Sequence, residues 1–337
     1  MIRVGLAGGG FMGKMHAEIY RHLPGAQLAV VADALPEAAQ GLAERHGAKA
    51  VSSWQKLVRR KDVDLVDVCL PTFLHKQAAV AAARAGKHVL CEKPMALSAR
   101  ETKAMIAAAE KAGVTLMVAQ CLRFWPEYVA LKEYLDSGRL GRLLSFNCSR
   151  ISPMPTWSAG NWMGDASKSG GAGLDLHIHD ADMILYLLGR PQSVYSRASW
   201  EAGGAAHIFT LYQYPEVAVS ASGGWNLPGN FPFSATFQAV FEGGALSYNS
   251  GASPTLMAYP REAAPHAPEL KHAPVQELDV GGNLTNPDGY YQELEYLVGC
   301  LERGGKPSVV TPQEAAQSVE VVLAELKSAR RGRPVRL

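Results

Sequence analysis

Three clusters in this 337-residue chain combine residue types that can do chemistry. The first is Gly8-Gly9-Gly10-Phe11-Met12-Gly13, a G-x-G-x-x-G directly after an apolar run. Glycines at 8, 10 and 13 let the chain turn tightly and bring backbone amides against a pyrophosphate, while the helix that follows offers its N-terminus to negative charge. Asp33 stands twenty residues beyond Gly13. A carboxylate there accepts hydrogen bonds from ribose hydroxyls and repels a 2′-phosphate, and Ala34 and Leu35 supply no cation for that phosphate. NAD is expected in preference to NADP. The plainer readings are glycines that only make a turn and an aspartate that only caps a helix.

The other two clusters are polar where the surrounding pattern is apolar. Cys91-Glu92-Lys93-Pro94 falls at the C-terminal edge of an expected strand, where open α/β sheets bind ligands. Asp175, His177, His179, Asp180 and Asp182 lead into the apolar helical run Met183 to Leu188, and on one helix Asp175, His179 and Asp182 would share a face at i, i+4 and i+7. Bland roles compete: Lys93 as a snorkelling strand-end lysine, Asp175 and His179 as a capping pair. His177, His179, Asp180 and Asp182 also have ligand spacing for zinc or iron, but no Cys or Glu cluster completes a site, and no metal is expected.

Elements that could carry these clusters are readable from patterning. Ile2 to Ala7, Leu28 to Ala32, Leu65 to Leu70, Val89 to Cys91 and Thr115 to Ala119 are short apolar runs separated by amphipathic helices, which implies a doubly wound parallel sheet. Ser98 and Glu101 form a capping box that opens a helix reaching about Ala112. After a helix near Glu127 to Asp136 the pattern changes. Leu143 to Ser149, Ser193 to Trp200, Ala206 to Tyr212, Glu216 to Ser222, Ala235 to Phe241 and Ala245 to Tyr248 alternate polar and apolar residues, predicting a mainly antiparallel sheet. A Pro-rich surface loop follows Pro260, and two helices close the chain, Asp288 to Glu302 and one opening at Thr311-Pro312-Gln313-Glu314. The expected organisation is an α/β Rossmann domain over residues 1–121 and an α+β domain with an open sheet over residues 122–337.

Length and composition agree, since roughly 100–200 residues per domain gives two domains with cores of their own. Lys+Arg number 33 against 31 Asp+Glu, so no general attraction to nucleic acid or anionic lipid is expected. Apolar runs stop well short of the roughly 18 residues of a membrane span. The N-terminus enters a strand at once, with no secretion signal visible, so a cytoplasmic location is expected. Five scattered cysteines, Cys69, Cys91, Cys121, Cys148 and Cys300, read as buried thiols.

Taken together, the fingerprint at Gly8 to Gly13, Pro71-Thr72 with His75, Glu92-Lys93-Pro94, Arg123-Phe124 and the D-x-x-x-H-x-x-D of Asp175, His179 and Asp182 resemble the glucose-fructose oxidoreductase and inositol dehydrogenase family, Gfo/Idh/MocA, along essentially the whole chain. The resemblance implies a catalytic group of Lys93, Asp175 and His179, and a cofactor cleft lined also by Pro71, Thr72, His75, Glu92, Lys93 and Gln120. Many relatives have Gly where this chain has His177. Oxidation of a secondary alcohol moves a hydride to nicotinamide and needs a base for the hydroxyl proton. His179 suits that role, Lys93 would stabilise the developing negative charge, and Asp175 would hold both in place. Expected substrate contacts are Lys93, Arg123, Trp162, Asp175, His177 and His179. Trp157, Asn161, Trp162 and Lys168 precede the motif, and an indole can stack on a sugar ring; an apolar lid or a subunit contact is the alternative.

The reading that results is an NAD-dependent dehydrogenase of a sugar, inositol or related cyclic polyol. Its rivals are an enzyme that retains and recycles NAD, either a sugar-sugar oxidoreductase or a glycosidase, and a nucleotide-binding regulator without catalysis. The resemblance also implies a homodimer or homotetramer formed through the C-terminal sheet.

Overall fold

Apolar strands that recur between amphipathic helices can bury both faces only in a parallel sheet, and the first part of the chain forms one. The computed structural model describes residues 1–156, 158–275 and 286–337. It divides into two compact units: residues 1–124, 157–162 and 272–317, and residues 125–156, 163–271 and 318–337. Trp157 lies outside the described residues. A single cut after residue 121 does not describe this arrangement, because the chain returns late to the first unit.

In that unit β1 (Ile2–Ala7), β2 (Ala26–Ala32), β3 (Lys49–Val51), β4 (Leu65–Val68), β5 (His88–Glu92) and β6 (Leu116–Ala119) form a parallel sheet of order β3-β2-β1-β4-β5-β6. Five of these strands match apolar runs. The short β3 is half-exposed and pairs only with β2, so it offers almost no hydrophobic signal. Helices α1 (Phe11–His22), α2 (Pro36–His46), α3 (Trp54–Val58), α4 (Thr72–Arg84) and α5 (Ala99–Ala112) make the connections. Ser98 Oγ accepts from the Glu101 amide at 3.4 Å and donates to its carboxylate at 3.1 Å, closing the capping box of α5. The sheet order reverses between β1 and β4, whose carboxyl ends carry the glycine loop and Pro71-Thr72. Crevices at such reversals bind nucleotides.

The second unit opens with α6 (Pro126–Ser137) and a long strand, β7 (Leu143–Pro153), followed by the short helices α7 (Ala166–Ser169) and α8 (Gly171–Asp175) and by α9 (Ile178–Leu188). Then come β8 (Ser193–Glu201), β9 (Gly204–Gln213), β10 (Ala218–Leu227), β11 (Ser234–Phe241), β12 (Gly244–Asn249) and β13 (Leu256–Pro260). With β14 (Val335–Arg336), they form an eight-stranded sheet of order β13-β12-β11-β7-β10-β9-β8-β14, antiparallel except where β7 meets β10. The edge strands β13 and β14 escape prediction because one runs into the Pro-rich stretch and the other has two residues.

One face of this sheet packs on α8 and α9. On the other, Phe209 and Leu211 are 57% and 59% exposed, and Leu144 and Val240 are also open to solvent.

Two helices finish the chain, α10 (Asp288–Glu302) and α11 (Pro312–Arg331). Burial of Tyr291, Leu294, Leu297 and Val298 on α10 joins it to α1 and to the 3-10 helix Cys121–Phe124, which is why residues 272–317 belong with the parallel sheet. Thr311 and Glu314 exchange hydrogen bonds at the start of α11, as their spacing predicts. Among the described residues no helix is long and apolar enough to cross a membrane.

Candidate active site

The first unit contributes the glycine loop. Gly8 has φ +108°, a conformation that side chains rarely adopt, and a Cβ there would overlap the Cys69 carbonyl. A Cβ at Gly13 would overlap the Gly8 carbonyl. At Gly10 the same test meets nothing within 4 Å, so the loop is tight beneath and open above. Gly10 caps α1 without a side-chain hydrogen bond, which leaves the first amides of the helix for an anion. Asp33 accepts from the Gly9 amide at 2.7 Å and the Leu35 amide at 2.8 Å, which fixes its carboxylate at the end of β2. Gln120 Nε2 is buried without a hydrogen-bond partner among the described residues, an orphaned donor of the kind a bound cofactor satisfies. These features fit a dinucleotide.

Lys93 directly follows β5, on the same sheet edge as the glycine loop. The Glu92 carboxylate accepts from the Lys93 amide at 2.9 Å. His75 is buried on α4, with Nδ1 2.9 Å from the Pro94 carbonyl and Nε2 2.7 Å from the Leu70 carbonyl. Burial lowers its pKa, and a neutral ring has one N–H to donate, so it bonds to one of these two carbonyls. Pro71 caps α4 and Thr72, buried, begins it, while Phe11 and Met12 remain half-exposed at the start of α1.

Beneath this edge lies a buried polar group that sequence reading passes over. His16 Nδ1 is 2.8 Å from Asp67, Tyr20 donates to the same carboxylate oxygen at 2.9 Å, and His16 Nε2 is 3.4 Å from Glu92. Burial opposes a charge on His16, yet its acidic surroundings, with the Asp67 carboxylate bonded to Nδ1, outweigh it and hold its pKa well above the ordinary value. His16, Asp67 and Cys69 lie within metal-ligand reach of one another, but His16 and Tyr20 already occupy one oxygen of Asp67, and burial pushes the Cys69 thiol up, away from thiolate. Glu293 on α10 is fully buried nearby, and burial, reinforced by Glu92 and Asp67, raises its pKa well above the usual carboxyl range. Only long-range packing brings these residues together, and no local spacing announces it.

The second unit supplies the aspartate and histidines. Asp175 ends α8 and His179 lies in the first turn of α9, so the single helix expected for Asp175, His179 and Asp182 is interrupted at Leu176-His177. There the His177 amide reaches back five residues to the Ala172 carbonyl, 2.9 Å away, and helical ladder bonding restarts afterwards. His177 is fully buried, with Nε2 2.8 Å from Glu325 and 3.3 Å from Tyr212 Oη. Burial disfavours its charge, but Glu325 outweighs this and its pKa is raised. The substrate contact expected of His177 is thus corrected: its ring is fully buried in the core, with Nε2 bonded to Glu325.

Asp180 and Asp182 are also buried, bonded to Arg150 and Ser318 respectively, so the four candidate metal ligands of this segment do not turn to one point. Asp175 is buried and His179 half-buried.

Arg123 requires a similar correction. Its buried guanidinium donates to the Val309 carbonyl at 2.7 Å and to Glu314 at 3.1 Å, tying the 3-10 helix to the start of α11, which places its charge in structure rather than toward a substrate. Trp162 is half-buried; Asn161 is exposed and adopts φ +49°. Lys168 pairs at the surface with Asp165 at 3.1 Å.

A Rossmann sheet with a glycine loop and an aspartate at the end of β2 defines the class: a nucleotide-binding fold with a second α+β unit. Comparison with known proteins gives the family. Residues 2–120 match the model described as oxidoreductase family, NAD-binding Rossmann fold, and residues 128–247 match the GFO/IDH/MocA C-terminal domain. The chain belongs to the Gfo/Idh/MocA family, and its first unit is an NAD-binding domain.

Among curated relatives, it is 36% identical over 232 residues to levoglucosan dehydrogenase of Pseudarthrobacter phenanthrenivorans, covering 62% of this chain and 59% of that protein. It is 34% identical over 199 residues to inositol 2-dehydrogenase of Rhizobium meliloti, covering 59% of this chain and 58% of that protein. The aligned segments thus span a little over half the length of these relatives. A solved levoglucosan dehydrogenase, in complex with NADH and levoglucosan, superposes with a TM-score of 0.85 at 26% identity, covering 99% of each chain.

Proposed function

We propose that the protein is an NAD-dependent dehydrogenase that oxidises a secondary alcohol of a cyclic polyol, an inositol or a sugar, including anhydro sugars. The observation that carries this reading is that Lys93 follows β5 on the sheet edge where the glycine loop, Asp33 and orphaned Gln120 are suited to a dinucleotide. Similarity to levoglucosan and inositol dehydrogenases supports the substrate class.

When bound, the nicotinamide accepts or returns the hydride. The chain supplies the rest. His179 takes the hydroxyl proton in oxidation and returns it in reduction; Lys93 places its ammonium against the reacting oxygen as negative charge develops; Asp175 orients the hydroxyl. Glu92 holds the Lys93 amide.

The test is a screen of purified protein with NAD against inositols, aldoses, and amino and anhydro sugars, following absorbance of the reduced cofactor. Substrate-dependent NADH formation is expected; none with any member of the panel contradicts the reading. The exposed sheet face bearing Phe209 and Leu211 is proposed as the contact of a homodimer or homotetramer.

A further inference from the structure

Helix α9 begins without the usual anchor: His177 occupies the N-cap position and makes no side-chain cap bond. Side chains from other elements hold its start instead. His177 is tied to Glu325 of α11 at 2.8 Å and Asp182 to Ser318 of the same helix at 2.7 Å. From the sheet side, Arg150 of β7 donates through Nε at 2.9 Å and Nη2 at 3.2 Å to the two oxygens of Asp180. Its Nη2 also lies 3.0 Å from Tyr128 Oη, and all three residues are buried. A two-point guanidinium fork fixes direction as well as distance. Its mount is stiff. Arg150 pairs in register with Gly223 of β10 on one side and Ala235 of β11 on the other, so the fork projects from the interior of an eight-stranded sheet.

We propose that Arg150 is a positioning residue for His179: by holding Asp180 against the sheet, it sets where the neighbouring imidazole stands when that ring takes the substrate proton. This rests on the reading of His179 as the base. The rival is a buried ion pair that serves stability alone. The two differ in what happens when the pair is replaced by apolar groups of similar size, because such replacement often restores stability but cannot restore a two-point alignment.

The experiment compares wild type, Arg150→Met and the double variant Arg150→Met/Asp180→Leu by thermal midpoint, NADH affinity, kcat and KM, and the ring resonances of histidine-labelled protein, with His179 assigned through His179→Gln. Arg150→Met alone leaves a buried carboxylate unpaired and lowers the midpoint; the double variant recovers it. NADH affinity stays at the wild-type value, kcat of the double variant remains roughly 10- to 100-fold down with a smaller change in KM, and the His179 resonance is displaced or doubled. A double variant with wild-type midpoint, kcat and His179 resonance overturns the proposal. Should the double variant fail to fold, Arg150→Lys, which keeps the charge and loses the fork, is read by the same criteria. If the wild type transfers no hydride with any polyol, the base assignment falls. The His179 resonance then decides alone: displacement in the variants supports positioning, and an unmoved resonance overturns it.

Discussion

The glycine loop of the first unit and the His177–Asp182 segment of the second are both short polar interruptions in apolar surroundings, yet they are held in opposite ways. Residues 8–13 are shaped by backbone: a positive φ at Gly8, close carbonyls at Gly8 and Gly13, and an aspartate bonded to amides. Residues 177–182 are shaped by side chains that reach Arg150, Ser318 and Glu325, up to 148 positions away. A loop fixed by its own backbone is written locally. A segment fixed by distant partners is not.

The contrast predicts different failures. The largest effects belong to the proposed reacting groups: Lys93→Ala and His179→Ala should each lower kcat/KM by about 10²–10⁴-fold while NADH affinity holds, the range general acid-base and electrostatic catalysis supply. Loss of NADH binding in His179→Ala would show that this segment serves the cofactor instead, and erase the distinction.

Next comes the loop itself. Gly13→Ala forces a methyl onto the Gly8 carbonyl, an overpacking of about 1–3 kcal/mol that should weaken NADH binding roughly 10- to 100-fold by titration. Unchanged affinity would mean the loop is not where the cofactor sits. Asp33→Ser should cost about tenfold in NAD affinity, through lost charged hydrogen bonds, and narrow discrimination against NADP. Retained preference for NAD would remove Asp33 from cofactor selection.

On the sheet face, Phe209→Arg with Leu211→Glu should lower the molar mass seen by light scattering without changing NADH affinity; an unchanged mass moves the subunit contact elsewhere.

The smallest effect concerns His177. Its pKa is raised in the folded protein, so stability from the Glu325 pair is fully present below about 6.5 and is lost as pH rises through the folded value. The difference in thermal midpoint between wild type and Glu325→Gln should therefore narrow by a few degrees between about pH 6 and pH 9, on a scale of roughly 2–4 °C per kcal/mol. A difference independent of pH would mean that His177 does not ionise there.

The same contrast explains what the sequence discloses. Ile2–Ala7 and Asp288–Glu302 are predicted to the residue because the period of buried residues is local, and the glycine fingerprint is legible for the same reason. Lys49–Val51 is not, since three half-exposed residues carry no period. His177 reads as a ligand contact until Glu325 is brought beside it, and Arg123 until Glu314 is. His16, Asp67 and Glu293 draw no notice, since a lone polar residue within an apolar helix or strand shows nothing of the partner that burial provides. Break points are equally hidden: i, i+4 spacing for Asp175 and His179 assumes a continuous helix, and the ladder stops between them.

Direct deuterium transfer tests most sharply the proposed roles of Lys93 and His179 in hydride transfer. Inositols and anhydro sugars labelled at their carbinol carbons would be incubated with NAD, and the reduced cofactor analysed by mass. The account predicts one deuterium on the nicotinamide ring with wild type, and almost none with Lys93→Ala or His179→Ala although both bind NADH. No labelled cofactor from any substrate with wild type, or undiminished labelling in either variant, would contradict it.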